Sequence, residues 1–220
     1  MVFSALDKGK DMVAKIVKQG IALWFTLIMG MELTYGAQYE AGVHYFELPT
    51  PVAVSGDGVE VTEYFSYMCG HCYQFEPVLA AWVERLPEDV VFDRTPAIWN
   101  KPYQQMAQVY YTLKAMKVLD KMHLEVFNAI HLKRMNLQDP SKIADLLADN
   151  GIDGVAFGKV FASFGVRASL QQAEARGRAY QATGVPSLIV NGKYRIDAGG
   201  AGSTQAMLAI ADYLIELERP

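Results

Sequence analysis

The chain has 220 residues, 51% of them hydrophobic and 20% charged, and a formal net charge of −4. That length can bury a sizeable core, and the apolar content excludes intrinsic disorder. With 18 glycines and two cysteines the chain is neither collagen-like nor a disulfide framework, and without a basic block it has no electrostatic basis for binding nucleic acid.

The first 36 residues read as an address. Residues 12–20 carry Lys15 and Lys18 and no acid, and Ile21 to Met31 is an apolar run broken only by Thr26 and Gly30. Thr34-Tyr35-Gly36 then supplies small residues before Ala37. A basic n-region, a short h-region and a small-residue exit define a secretory signal peptide, with cleavage expected near Gly36/Ala37. The alternative is a membrane anchor, but a spanning helix needs roughly 20 apolar residues. Asp7 and Asp11 are unusual in an n-region, so Met12 is a second candidate start. Export places the protein in an oxidising compartment, where disulfides persist.

Beyond the leader, Gln38 to Thr50 reads as a short extended segment. Val59 to Tyr67 alternates and then turns aromatic, the pattern of a buried strand. Cys69-Gly70-His71-Cys72 follows at once, and Tyr73 to Arg85 has the apolar spacing of an amphipathic helix. Val90 to Arg94 is a second strand. Residues 102–180 show little β pattern and read as five helices, about 104–117, 121–132, 141–150, 155–164 and 167–180. Ser141 looks like the cap of the third, and Gly165 separates the last two. Ser187 to Val190 and Lys193 to Ile196 form a hairpin around a two-residue Asn191-Gly192 turn. A glycine-rich stretch, 198–202, leads into a final helix over 203–218. The fold class is α/β: residues 37–101 and 181–220 form one sheet-and-helix domain, with residues 102–180 inserted as a helical domain.

The cysteines carry the chemistry. Two thiols three residues apart close a loop too small to stabilise a fold of this size. Between a strand and a helix, they put Cys69 at the helix N-terminus, where free N–H groups and the dipole favour an anion. Cys69 is then a low-pKa nucleophile, Cys72 a less exposed resolving thiol, and His71 an added positive charge or hydrogen bond. The pair supports reversible dithiol–disulfide exchange. A zinc site would need four ligands, yet the other histidines, His44, His123 and His131, are scattered. Haem attachment would need a histidine where Tyr73 stands. No metal and no cofactor is expected. Glu63, inside the apolar strand, is either a proton acceptor for Cys72 with a raised pKa or an edge-facing carboxylate. Glu76 either faces the helix start or is solvated. Pro186, after Thr183-Gly184-Val185 and before a strand, is a candidate cis-proline beside the site.

These residues resemble a known family. The stretch from Glu63 to Glu76, with Cys69-Gly70-His71-Cys72-Tyr73-Gln74-Phe75 at its heart, is similar to the active-site stretch of the DsbA family. Thr183 to Pro186 and Val190-Asn191-Gly192-Lys193-Tyr194 resemble that family's cis-proline loop and hairpin. The resemblance covers nearly all of the chain after residue 36. It implies a thioredoxin fold with an inserted helical domain and oxidation of cysteines in newly exported, unfolded or folding proteins. It also implies reoxidation by a DsbB-like membrane partner. By position it makes Cys69 the nucleophile, Cys72 the resolving thiol, His71 the thiolate stabiliser and Glu63 the buried acid. Gly70, Val185 and Pro186 fall on the substrate side, with a hydrophobic groove partly built from the hairpin. Gly70-His71 departs from the family's usual Pro-His and matches protein disulfide isomerase, which implies a milder oxidant. A disulfide isomerase or reductase, or a peptide-binding chaperone with secondary redox activity, is the alternative. No feature points to an oligomer, and a monomer is expected.

Overall fold

The computed structural model describes residues 38–219 apart from Ser55 and Asp57. The expected leader and the two candidate starts lie outside the described residues. The elements run β1 (Phe46–Glu47), β2 (Val59–Phe65), α1 (Gly70–Val83), β3 (Val90–Pro96), α2 (Lys101–Ala115), α3 (Leu119–His131), α4 (Pro140–Asp149), α5 (Gly154–Phe161), α6 (Phe164–Ala179), β4 (Ser187–Val190), β5 (Tyr194–Asp197), α7 (Ala198–Ala201) and α8 (Thr204–Glu218).

One sheet holds the strands in the order β1-β5-β4-β2-β3. β2 runs parallel to β3 and antiparallel to β4, with Glu63 opposite Arg94 in the first pair and Leu188 in the second. A parallel pair needs a crossover, and α1 supplies it. All seven residues of β2 are buried, because both faces of this strand are covered. On one face Val59 and Val61 meet Phe75, Leu79 and Trp82 of α1 and Met207, Ile210 and Leu214 of α8. On the other, Tyr64 and Ile189 pack with Tyr180 at the end of α6. A third cluster joins Phe65, Tyr67 and Cys72 to Tyr110, Phe127, Leu146 and Phe157 of the helical block. The second thiol is therefore part of the core that attaches the block to the sheet.

Several local expectations are corrected. The segment before Thr50 is mostly turn, with Gly42 at φ +82° and only Phe46–Glu47 extended. α1 starts at Gly70 with Cys69 as its N-cap, one turn before the apolar spacing that begins at Tyr73. α4 is capped by Asp139, whose carboxylate accepts from the Ser141 N–H, and not by Ser141. The break before α6 falls at Ala162-Ser163, where Ser163 accepts from the Val166 N–H, and Gly165 lies inside the helix.

The hairpin has three loop residues, since Val190 pairs with Tyr194. Asn191 and Gly192 do take positive φ, 49° and 63°, as an Asn-Gly turn requires, but Lys193 is an additional loop residue. A Cβ at Gly192 would stand 1.9 Å from the Val52 carbonyl oxygen. The Gly192 carbonyl in turn accepts from the Val52 N–H. The glycine-rich stretch forms one helical turn, α7, that ends on Gly202 at φ +84°.

Leu214 is fully buried between α8 and the sheet. Leu214→Ala should lower the unfolding free energy by about 3 kcal/mol through lost burial and a residual cavity, read as a lower urea midpoint with an unchanged slope.

Candidate active site

β2 ends at Phe65, and Ser66, Tyr67 and Met68 turn the chain into α1. The Ser66 hydroxyl accepts from the Met68 N–H and the Ser66 carbonyl from the Cys69 N–H, so the turn is fixed by backbone bonds. Cys69 is the N-cap of α1. Its backbone is extended and its Sγ accepts from the Cys72 N–H at 3.3 Å. A sulfur thus occupies the place usually taken by a serine or aspartate oxygen.

Three donors bear on that sulfur: the Cys72 thiol, then the N–H groups of Cys72 and His71. Together with the charge of His71 they outweigh partial burial and draw the Cys69 thiol down to about 6. Cys72, fully buried, is pushed far the other way, by desolvation first and by the Cys69 bond and the Glu63 charge after it. The two thiols are free cysteines here, and their pKa values are split in opposite directions. Gly70 and His71 between them are exposed.

The loop before β4 closes one side. The Val185–Pro186 peptide is cis, and Cys69 Sγ lies 3.4 Å from the Val185 carbonyl oxygen. Val185 is half-buried and Pro186 buried. The structure brings Cys69, Gly70, His71 and Cys72 to the start of α1 and sets the Val185–Pro186 loop beside Cys69.

Glu63 is not edge-facing. It is fully buried, and burial pushes its carboxyl up to about 7 against the opposing pull of Arg94. Arg94 gives its Nε to Glu63 Oε2 at 2.9 Å and its Nη2 to Glu76 at 2.8 and 3.0 Å. Glu76 is thus buried and paired, not solvated. Among the described residues Glu63 Oε1 has no hydrogen-bond partner.

Three residues of this environment escaped the sequence reading. Arg94 stood only as the end of a strand, though a carboxylate and a guanidinium in two adjacent apolar strands was the available signal. His123 and His131 looked scattered, yet they sit eight residues apart on α3 with Phe127 between, which is one helix face. His131 Nε2 lies 2.9 Å from the Tyr67 carbonyl oxygen, and its ring stacks on Tyr73 at 4.9 Å and 10°. The Tyr73 hydroxyl donates to Asn128 on the same helix. A cavity of about 530 Å³ lies elsewhere, between α2, α4 and α5, and takes no residue from the hairpin that was expected to build a groove. Among the described residues no cluster of histidine, cysteine or carboxylate could hold a metal ion.

Known proteins are similar to this chain in sequence and fold. Residues 86–211 match the family model described as a DSBA-like thioredoxin domain. The thiol:disulfide interchange protein DsbA of Azotobacter vinelandii is 47% identical, over 83% of this chain and 86% of the relative. That of Pseudomonas aeruginosa PAO1 is 42% identical over 90% and 96%. The chain belongs to the DsbA family. The crystal structure of Pseudomonas aeruginosa DsbA superposes with a TM-score of 0.79 at 44% identity, covering 82% of this chain and 95% of that one. DsbA from Xylella fastidiosa gives 0.75 at 31%, covering 80% and 95%. The fold is the DsbA fold, a thioredoxin fold with an inserted helical domain, and the activity is that of a thiol:disulfide oxidoreductase that introduces disulfide bonds.

The order of the forces on Cys69 is testable. Thiolate absorbance should titrate with a midpoint near pH 6, where Cys69 itself ionises. Cys72→Ala, which removes the largest of those forces, should move the midpoint upward, whereas Cys72→Ser keeps a donor and should move it less.

Proposed function

We propose that Cys69 is the nucleophile and Cys72 the resolving thiol of a dithiol oxidase acting on exported proteins. The observation that carries this is the N-cap geometry: an accessible sulfur receives the N–H groups of a helix start, and its partner is buried one turn behind it. In the oxidising direction a substrate thiolate attacks Cys69 Sγ of the Cys69–Cys72 disulfide. The bond between the two enzyme sulfurs breaks, a substrate–Cys69 bond forms, and Cys72 leaves. Cys72 is a poor anion in its buried place, so it takes a proton, and Glu63, with its carboxyl near 7, supplies it. A second substrate thiolate then attacks the substrate sulfur of the mixed disulfide. Cys69 departs as a stabilised thiolate, and the substrate has lost two electrons to the enzyme pair.

His71 adds charge beside the leaving sulfur. Gly70, Val185 and Pro186 form the face that meets the substrate backbone, since Gly70 is exposed next to Cys69 and the Val185 carbonyl oxygen lies 3.4 Å from its sulfur. A DsbB-like membrane protein in the periplasm restores the disulfide. The working unit is a monomer. Among the described residues no helix is long and apolar enough to cross a membrane.

Disulfide formation in a reduced, unfolded test protein separates this from a chaperone role. Cys69→Ala and Cys72→Ala should each abolish it, since neither variant can hold the Cys69–Cys72 disulfide that accepts the two electrons. Full activity without Cys69 would overturn the reading.

The Gly70-His71 dipeptide sets the strength of the oxidant. Gly70 is the first residue of α1, and a Cβ there would meet nothing within 4 Å. Proline suits that position and fixes its backbone for the helix. Gly70→Pro should firm the donors around Cys69 and raise the reduction potential by tens of millivolts, where about 30 mV is a tenfold change in the equilibrium. Equilibration with glutathione buffers reads this directly.

A further inference from the structure

The carboxylate chain behind Cys72 continues into the helical block through His123, which none of the chemistry above uses. His123, on α3, is 6% exposed. Its ring sits among Phe65, Tyr67, Tyr110 and Phe127 at centroid distances of 5.2 to 6.2 Å. Its Nδ1 lies 2.8 Å from the Tyr67 hydroxyl, and its Nε2 lies 3.4 Å from Glu76 Oε2.

Electrostatics selects the tautomer. With the proton on Nδ1, a bare Nε2 lone pair would face the Glu76 carboxylate. With the Tyr67 hydroxyl donating to Nδ1, the proton sits on Nε2 and faces that carboxylate across 3.4 Å, a polar contact short of hydrogen-bond geometry. Burial lowers the His123 pKa and Arg94 adds to this, while Glu76 and Asp120 oppose, so a neutral ring with Nε2–H is the consistent state. The charged and titratable groups around it are Tyr67 from the turn after β2, Glu76 from α1, Arg94 from β3, Tyr110 from α2 and Asp120 on its own helix.

We infer that His123 is a positioning residue for the thiol–disulfide reaction. It shares Glu76 with Arg94, so that Arg94 keeps its Nε on Glu63 Oε2 and Glu63 keeps its unbonded Oε1 free for the proton of Cys72. Glu76 Oε2 is common to Arg94 Nη2 and His123 Nε2. Without the histidine, Glu76 depends on Arg94 alone and draws the guanidinium from Glu63. Glu63, still buried, would then hold its proton more tightly. The inference rests on the role given to Glu63 above.

The step to follow is resolution of a Cys69–glutathione mixed disulfide. Cys72 loses its proton to Glu63, its sulfur bonds to Cys69 Sγ, and the Cys69–glutathione bond breaks with glutathione leaving as thiolate. Single-turnover rates across pH 5 to 9 should show an inflection near 7, where Glu63 ionises. His123→Phe, which keeps the ring among its aromatic neighbours, should move that inflection upward by about half a pH unit or more. His123→Gln, which restores an N–H donor, should return it toward the native value. Tyr67→Phe, which frees the tautomer at the cost of one oxygen, should move it the same way by less.

An unmoved inflection in His123→Phe, or an equal shift in Phe and Gln variants, would overturn the inference and leave a packing role. Glu63→Gln is the separate control. If the inflection survives that substitution, the assignment of Glu63 fails rather than that of His123. In the unmodified protein, ¹⁵N spectra should place the His123 proton on Nε2 at pH 7. A proton on Nδ1 would overturn the inference even if no variant folds.

Discussion

The N–H groups of a helix's first turn have no carbonyl within the helix to meet, and in α1 the atom set among them is a sulfur. Most of the molecule can be understood as what is needed to hold that sulfur there. The parallel pairing of β2 with β3 forces a crossover, and the crossover begins at Cys69. The turn from β2 into α1 is pinned by Ser66, and the cap sulfur faces the Val185 carbonyl across the site. A thiolate in this place is stabilised by groups fixed before any substrate arrives. The reduced protein is therefore favoured over the oxidised one, and the disulfide is a good electron acceptor.

Behind the cap the same fold keeps two carboxylates and one guanidinium out of water. Burying charges is costly unless they are paired, and the register of β2 and β3 provides the pairing by setting Glu63 opposite Arg94. Arg94 has one edge for each carboxylate, and this divides the two acids in function. Glu76 has both oxygens on the guanidinium. Glu63 has one oxygen on it and one bare, in a site dry enough to hold a proton near neutral pH. Cys72 stands in the same dry region, close enough for the Glu63 charge to bear on it.

The inserted helices do more than enlarge the protein. One face of α3 presents His123, Phe127 and His131 to the turn between β2 and α1, and all three meet Tyr67 or Tyr73. The core cluster that includes Cys72 spans both sides of this junction. A disturbance within the helical block would reach the thiols by this route, through packed rings and through the Tyr67–His123–Glu76 contacts. Gly70 and His71, at the start of α1, stay exposed.

The sequence by itself determined the chemistry and the order of the elements. Cys69 and Cys72 between a strand and a helix, Pro186 before a strand, and the change from period 2 to period 3.6 and back are local signals, set by backbone geometry and by side chains a few residues apart. Its errors were local too, where no apolar period marks a boundary: the cap of α4, the break before α6 and the third residue of the hairpin loop. Tertiary structure alone decided the fate of the charges. Whether Glu63 and Glu76 were solvated or buried depended on Arg94, 31 and 18 residues away, and His123 and His131 became part of the site only when α3 packed against the turn. Such groups owe their ionisation to what surrounds them in space, because desolvation and Coulomb forces act over a few ångströms of distance and take no account of separation along the chain.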